Sequence, residues 1–272
     1  MKRILILALS FFCIICAGCA KVNFDLIITS DGAVFRKWQF LGTTPFTQEI
    51  ENIKINNEKL FPDLKIKTVA EGEMHGYEFS LYYPDIESFA QAKSEHYAIT
   101  VGKNKGISRH KSWFFDEYDF DFFIKGSQAN VPVGATVNQA MFSEVVYDNT
   151  IRLPYPAESH NADTVLEGGK ALKWDLAPVL LYGGEKHMNV RFKIWHKDKL
   201  FMTAAIELLL LAATIFFFIK ARAEEFENIG KDFRFKRNVF AGLFIALGII
   251  SAYLILMPVT FTEADIISVA RN

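Results

Sequence analysis

Ser159, His160 and Asp163 are residue types that form hydrolytic triads, and all three lie in the segment 159–163. The side chains of a triad converge from separate elements, whereas neighbours on a single turn point in different directions. The segment therefore indicates a polar turn, and we expect no catalytic residues in this chain. The six histidines are scattered singly, and no pair has the spacing of a metal site on one predicted element. The sequence thus predicts no metal ligands, no cofactor-binding residues, no cofactor and no enzymatic activity.

An acidic strand is the next candidate for binding chemistry. Glu117, Asp119 and Asp121 alternate with the aromatic residues Tyr118 and Phe120. Such alternation predicts a β-strand with an aromatic inner face and an acidic outer face. Residues two apart on a strand lie ~7 Å from each other, too far to share one Ca²⁺ ion without further ligands from a loop. We therefore interpret the aromatic residues as sheet core rather than as a cofactor or ligand site.

The N-terminus has the organisation of an export signal. Lys2 and Arg3 form a short basic region, and residues 4–15 form an apolar run. This run has the length of a signal-peptide core and is too short for a membrane-spanning helix of ~20 residues. The sequence predicts a lipoprotein signal peptide over residues 1–18 and export of the domain that follows.

Cys19 is the residue for which the sequence predicts a covalent modification. Ala17 and Gly18 precede it, and small residues there are typical of a lipobox, in which the cysteine thiol is acylated after cleavage. Cys16 occupies the position where leucine is usual. An ordinary cleaved signal and an uncleaved N-terminal anchor are the alternatives, and the domain is exported in each case. After Cys19 the chain has no cysteine, so the exported domain is held together by core burial without disulfides.

Two apolar runs near the C-terminus predict a transmembrane hairpin. Residues 201–219 contain a single charge, Glu207, and residues 239–257 contain none. Each run has 19 residues and spans ~28 Å as a helix, close to the thickness of the hydrocarbon core. The connecting residues 220–238 carry an excess of Lys and Arg, which predicts a cytoplasmic loop and an extracytoplasmic tail over 258–272.

Glu207 lies about two turns into the first apolar run, where an ionisable side chain is costly and often marks a functional position. Neither apolar run contains a basic residue that could neutralise its charge. We favour a structural interpretation, in which the carboxyl group reaches towards the lipid headgroups or contacts the second helix.

Residues 19–198 form the predicted exported domain. Alternating apolar residues and turn signals predict roughly eight to ten strands, and helical spacing predicts two or three helices. The first two strands form a hairpin around Ser30, Asp31 and Gly32, and Asp85 is the predicted N-cap of a short helix. Short connections between strands favour an α+β fold with a largely antiparallel sheet. The net charge of -1 gives no electrostatic reason to expect nucleic acid as a partner.

Two stretches of this domain resemble LppM-type bacterial lipoproteins. The residues CAGC, followed at once by KVNFDLIITSDGAVFRKWQF, are similar to the start of that family, where the acylated cysteine leads directly into a strand, an Asp-Gly turn and a returning strand. The stretches RLPYPAESHNADTV and GGKALKWDL are similar to its closing module. The positions that fit this module are Leu153, Pro154, Asn161, Ala162, Trp174 and Leu176. The resemblance implies an envelope domain that interacts with lipid, and it brings no catalytic residues. Members of that family usually have one C-terminal transmembrane span, whereas two are predicted in this chain.

The sequence as a whole predicts a membrane-anchored envelope lipoprotein in the cell membrane, with its main domain on the extracytoplasmic side. The expected partners are the membrane and either a lipid or an envelope protein. The alternative is a structural subunit of an envelope protein complex, docked through its transmembrane hairpin.

Overall fold

The structure is a computed structural model, and it describes residues 20–44, 47–92, 106–126, 146–182, 184–223, 227–257 and 266–267. The predicted signal peptide, Cys19 and most of the predicted tail lie outside these residues. The described residues show a mixed α+β fold with mostly antiparallel sheets, followed by a hairpin of two long apolar helices. The predicted fold class is therefore confirmed.

Twelve strands form two sheets in the described part of the chain. They are β1 (Ala20–Ile28), β2 (Val34–Gly42), β3 (Lys65–Glu71), β4 (Met74–Tyr83), β5 (Gly106–Lys111), β6 (Phe115–Gly126), β7 (Val146–Arg152), β8 (Ser159–His160), β9 (Thr164–Leu166), β10 (Ala171–Asp175), β11 (Gly184–Trp195) and β12 (Ile266–Ile267). The first sheet has the order β3-β4-β2-β1-β7-β10-β9, and the second has the order β12-β5-β6-β11-β8. The sequence predicted fewer strands and one sheet, because β8, β9 and β12 are too short to show alternation.

The N-terminal strands form the antiparallel part of the first sheet. β1 and β2 pair along their full lengths, and β4 and β3 continue the sheet in antiparallel order. The turn between β1 and β2 is closed by a hydrogen bond from the Gly32 amide to the Thr29 carbonyl oxygen at 3.1 Å. Gly32 has a φ of 89°, a conformation that glycine adopts without steric cost. The predicted first hairpin is confirmed.

The aromatic core of this sheet lies on the face that carries helix α1 (Thr47–Leu60). Trp38 and Phe79 are buried, and their rings stack with centroids 5.7 Å apart. Phe40 and Leu81 complete the buried cluster, and Ile53 of α1 packs against it. Each large apolar side chain removed from water in this way stabilises the fold by ~1.5–3 kcal/mol.

The first strand of the described chain lies inside its sheet rather than at an edge. β7 pairs with β1 in parallel, with Lys21 beside Val146 and Ile27 beside Arg152. β10 then pairs antiparallel with β7. A parallel pair needs a long connection, and here the whole of β2 to β6 lies between the two strands in sequence.

The second sheet contains the predicted acidic strand as β6. Its aromatic inner face is confirmed, because Tyr118 and Phe120 are buried against the ring of Phe192 at centroid distances of 5.5 and 5.0 Å. The predicted acidic outer face is wrong in part. Glu117 is only 4% exposed and Asp119 is half-buried. Alternation identifies the two faces of a strand, but it cannot show that polar side chains of a neighbouring strand will cover the acidic face.

Two short helices accompany the sheets, α2 (Ile86–Gln91) and α3 (Ala177–Tyr182). The predicted N-cap of α2 is confirmed, because the Asp85 carboxylate accepts a hydrogen bond from the Ser88 amide at 2.6 Å. The two C-terminal helices are α4 (Lys197–Ala223) and α5 (Glu227–Leu256). Both extend beyond the apolar runs in the sequence, so every described residue of the predicted connecting loop 220–238 is helical.

The chain divides into two compact units. The first contains the seven-stranded sheet and most of the second sheet. The second comprises Arg109–Glu117 and Ile194–Glu263, and it contains the ends of β5, β6 and β11 together with α4 and α5.

Candidate functional site

The helices α4 and α5 are long and apolar enough to cross a membrane. The qualifying segments are Lys197–Arg222 and Lys231–Leu256, and their most apolar stretches have mean hydropathies of 2.3 and 2.5 and contain no buried residue. Large apolar side chains cover their outward faces, and Phe201 and Leu256 are 78% and 79% exposed. A helix that is apolar on all sides is stable in hydrocarbon or in the core of a large protein. The hairpin therefore has the surface of a membrane-embedded element.

The two helices pack along a seam of less exposed residues that recur every three or four positions. The seam consists of Thr203, Glu207, Leu210, Thr214, Phe217 and Ala221 on α4, and of Phe233, Arg237, Phe240, Phe244, Leu247, Ser251 and Leu254 on α5. Phe217 is the best-defined contact, because its ring stacks on Phe240 at 5.3 Å and on Phe233 at 6.1 Å. Aromatic stacking thus fixes the helix pair at the end nearest their connection.

Glu207 lies on this seam of α4 and is half-buried. Its position favours the part of the sequence interpretation in which it faces the second helix rather than the lipid. Thr203, one turn earlier on the same helix, and Ser251 on α5 are also seam residues with hydroxyl groups. Thr214 is a third such residue, and its hydroxyl group donates to the Leu210 carbonyl oxygen of its own helix at 2.8 Å. The seam can therefore present a carboxyl and three hydroxyl groups within the apolar spans, where polar groups strengthen helix contacts.

A compact polar junction in the second unit marks where α4 begins. His196 is the single residue between the end of β11 and the start of α4. Its amide donates to the Phe114 carbonyl oxygen at 2.8 Å, and its Nε2 lies 3.5 Å from an Asp116 carboxylate oxygen. The Phe115 ring packs edge-on against Trp195 at 5.2 Å. These contacts join the start of α4 to the turn between β5 and β6. No flexible linker separates α4 from this turn or from the end of β11.

A polar cluster occupies the sheet face opposite the aromatic core of the first unit. Asp25 lies in the register of β1 opposite Lys37 on β2 and Thr150 on β7. Burial raises the pKa of the Asp25 carboxyl group, and the positive charges of Arg152 and Lys37 oppose that rise in part. The cluster thus holds a carboxyl group that takes up a proton more readily than an exposed aspartate. Alternation alone gave no signal that distinguished Asp25 from other outward-facing residues.

The sequence predicted a polar turn over residues 159–163, whereas the structure places the short strand β8 at its start, paired with β11, and the following side chains brace the fold. The Asn161 side-chain oxygen accepts hydrogen bonds from the Trp174 indole at 3.1 Å and from the Asn189 amide at 2.8 Å. The Asn161 side-chain nitrogen donates to the His187 carbonyl oxygen at 3.0 Å. Asp163 accepts from the Asp175 amide at 2.9 Å and pairs with Lys186 at 2.7 Å. The polar residues of this turn therefore tie β10 and β11 together.

Of the acidic residues considered for Ca²⁺, Asp119 also forms contacts between strands. Asp119 pairs with Arg191 at 3.1 Å and accepts a hydrogen bond from the Asn189 side chain at 3.2 Å. Over the described ranges, no group of three or more His, Cys, Asp or Glu side chains is placed to hold a metal ion. Acylation of Cys19 stays a prediction, because Cys19 lies outside the described residues.

The chain has a structural neighbour among solved proteins. The NMR structure of the folded domain of LppM from Mycobacterium tuberculosis matches it with a TM-score of 0.40 and 10% sequence identity. The match covers 66% of this chain and 93% of the LppM chain. No protein-family model matches the chain, and no curated protein matches it in sequence. A structural similarity at this level shows neither a common family nor a common function.

Proposed function

We propose that this chain is a membrane-anchored lipoprotein of the cell envelope, without enzymatic activity, whose α+β domain interacts with lipid at the extracytoplasmic face of the cell membrane. The observation that supports the proposal most directly is the exposed apolar surface of α4 and α5. Burial of this surface in water-free surroundings is needed for a stable hairpin. Only His196 separates β11 from α4 in sequence, so the domain is tethered within a few residues of the hairpin.

The proposed sidedness rests on the sequence. A signal peptide over 1–18 exports the domain, and the basic segment 220–238 is of the kind retained in the cytoplasm. An acyl chain on Cys19 adds a second attachment on the same side of the membrane. Because two spans already hold the chain far more strongly than one acyl chain does, acylation contributes to orientation rather than to affinity.

Labelling of introduced cysteines tests this arrangement. Glu73→Cys places a thiol on the exposed turn between β3 and β4, and Arg234→Cys places one on α5 outside the apolar run. A membrane-impermeant maleimide is expected to label the first variant in intact spheroplasts and the second only after lysis. The unmodified chain controls for its own cysteines. The reverse pattern would overturn the sidedness, and extraction by alkaline carbonate would overturn membrane insertion.

Acylation and lipid contact are tested separately. Growth with an alkyne fatty acid is expected to label the wild-type chain and the Cys13→Ser variant but not Cys19→Ser. Hydrogen exchange of the full chain is expected to be slower over the first unit in lipid nanodiscs than in detergent micelles. Equal exchange in both would refute lipid contact by the domain and leave only its anchoring.

Glu207 favours a second candidate, a structural subunit of an envelope complex docked through its hairpin. Neither apolar run offers a basic partner for this carboxyl group. Glu207 is only half-buried in the seam, so its exposed part is accessible to a polar group of another membrane protein. Mild solubilisation is then expected to recover a stoichiometric partner that is lost with Glu207→Gln and kept with Leu209→Ala, a change on the exposed face. The same recovery from both variants would refute a docking role for Glu207.

A further inference from the structure

We propose that the turn Ser112–Phe115 forms a lipid-headgroup site at the start of α4. In this site the Trp113 indole lies among the phospholipid headgroups, and Lys199 pairs with their phosphate groups. The inference rests on the proposed membrane insertion of α4. It adds a specific site in the second unit and a ligand class, the phosphate-bearing headgroup of a bilayer lipid.

The turn displays Trp113 while it buries the residues that follow. A hydrogen bond from the Ser112 amide to the Phe115 carbonyl oxygen, 2.8 Å long, closes the turn. Phe114 and Phe115 are 2% and 1% exposed, whereas Trp113 is 49% exposed. The local core thus accepts two of three consecutive aromatic side chains and leaves the third outside. Tryptophan suits the bilayer interface because its ring is apolar and its indole N–H needs a polar partner.

Several contacts hold Trp113 beside the first turn of α4. His196 Nδ1 lies 3.2 Å from the Trp113 carbonyl oxygen, and the His196 amide binds the next carbonyl along the turn. The Lys199 ammonium group lies 5.1 Å from the centroid of the Trp113 ring. Lys199 precedes Phe201, the first residue of the apolar run, by two positions, which is ~3 Å along a helix axis. The indole is therefore level with the start of the span, where the headgroup region begins.

The charge around the turn suits a phosphate. The ammonium group of Lys199 lies over the Trp113 ring. An ammonium group has three N–H donors, so it can contact the ring and still donate to a phosphate, and its aliphatic stem can lie along an apolar surface. Lys111 and Lys197 add positive charge in the flanking sequence, whereas Asp116 and Asp198 are the acidic residues of the same two stretches, so lysine is in excess there by one charge. Positively charged side chains close to a bilayer attract anionic headgroups. The combination of an exposed tryptophan and a positive charge at the start of a span thus defines the site.

Fluorescence quenching by lipid tests the placement of Trp113. The full chain is reconstituted in phosphatidylcholine vesicles that contain a lipid brominated near its headgroup. We expect quenching of the wild-type emission and loss of most of that quenching in Trp113→Phe. Both proteins also carry Trp195→Phe, because Trp195 is half-buried and lies next to the start of α4. The remaining tryptophans, Trp38 and Trp174, are buried in the first unit and serve as an internal unquenched background. Equal quenching in the two proteins, or none in the wild type, would overturn the proposal.

A second comparison tests the role of Lys199. Addition of phosphatidylglycerol to the vesicles is expected to increase quenching of the wild type and of Lys170→Gln, an exposed lysine of the first unit, but not of Lys199→Gln. The same increase in Lys199→Gln would overturn the phosphate contact. Co-flotation with carbonate-washed vesicles is measured on every sample. A chain that fails to float overturns the proposed function itself, whereas a floating chain with unquenched Trp113 overturns only this inference.

Discussion

Replacement of Asn161 by alanine is the most informative test of how the α+β domain is held together. The side chain forms three hydrogen bonds, to the Trp174 indole, the Asn189 amide and the His187 carbonyl group. Alanine removes all three without adding volume. Trp174 is completely buried, so its indole N–H is left without its observed partner.

The expected loss of stability follows from the exposure of the three partners. A buried donor left unsatisfied costs ~1–3 kcal/mol. The backbone groups of Asn189 and His187 belong to half-buried and exposed residues, where water can replace Asn161 at a cost of ~0.5–1 kcal/mol for each bond. We therefore expect Asn161→Ala to lower the free energy of unfolding by ~2–4 kcal/mol. For a domain of this size, that corresponds to a fall in Tm of ~5–15 °C.

The assay is thermal unfolding of the full chain in mild detergent, followed by near-UV circular dichroism and by resistance to a short protease pulse. Ser159→Ala changes an exposed residue of the same turn and is expected to leave Tm unchanged within error. Trp174→Phe removes the buried donor, so Asn161→Ala is expected to cost ~1–2 kcal/mol less in that background. A Tm of Asn161→Ala within ~1 °C of the wild type, or strict additivity with Trp174→Phe, would refute the bracing role.

Three further predictions address the sheet and the hairpin. Burial raises the pKa of Asp25, so the folded state holds the proton of this carboxyl group more tightly than the unfolded state does. The resulting stabilisation is complete below the unfolded-state pKa and is lost as pH rises through the folded-state pKa. In melts across a pH series, Asp25→Asn should therefore raise Tm at neutral pH and leave it unchanged in acid. At Gly76 an added Cβ would lie 1.9 Å from the Phe40 carbonyl oxygen, so Gly76→Ala should cost ~3 kcal/mol or more in denaturant unfolding. Phe217→Ala removes two aromatic stacks and should destabilise the hairpin by ~1–3 kcal/mol in SDS titrations, whereas Leu209→Ala on the exposed face should not.

The sequence predicted the features that depend on local periodicity. The first hairpin and the cap of α2 follow from Gly32 and Asp85, because each residue satisfies a backbone requirement of its own turn. The long helices follow from runs of apolar residues that no turn interrupts. These signals lie within a few residues of the structure that they specify, so one sequence is enough to recognise them.

The features that the sequence did not predict depend on contacts between distant strands. The parallel pairing of β1 with β7 joins segments that are far apart in the chain, and no local pattern encodes it. Glu117 is buried although it occupies the polar side of an alternating strand. The junction at His196 was also missed, although a lone histidine between a strand and an apolar run marks its position in the sequence. Alternation assigns a side chain to a face but does not show what covers that face.

The interior position of β1 has a consequence for the order in which the chain can mature. The antiparallel four-stranded part of the first sheet, in the order β3-β4-β2-β1, can assemble as soon as residue 83 has been made, but one edge of β1 keeps unpaired backbone groups until β7 arrives. An open edge of this kind templates intermolecular pairing, and charged residues along it oppose such pairing. Lys21 and Asp25 lie on this strand, so they are expected to keep the unfinished protein soluble during synthesis. Nascent chains that end before residue 146 should therefore aggregate more readily than chains that end at residue 182, and loss of both charges should widen that difference.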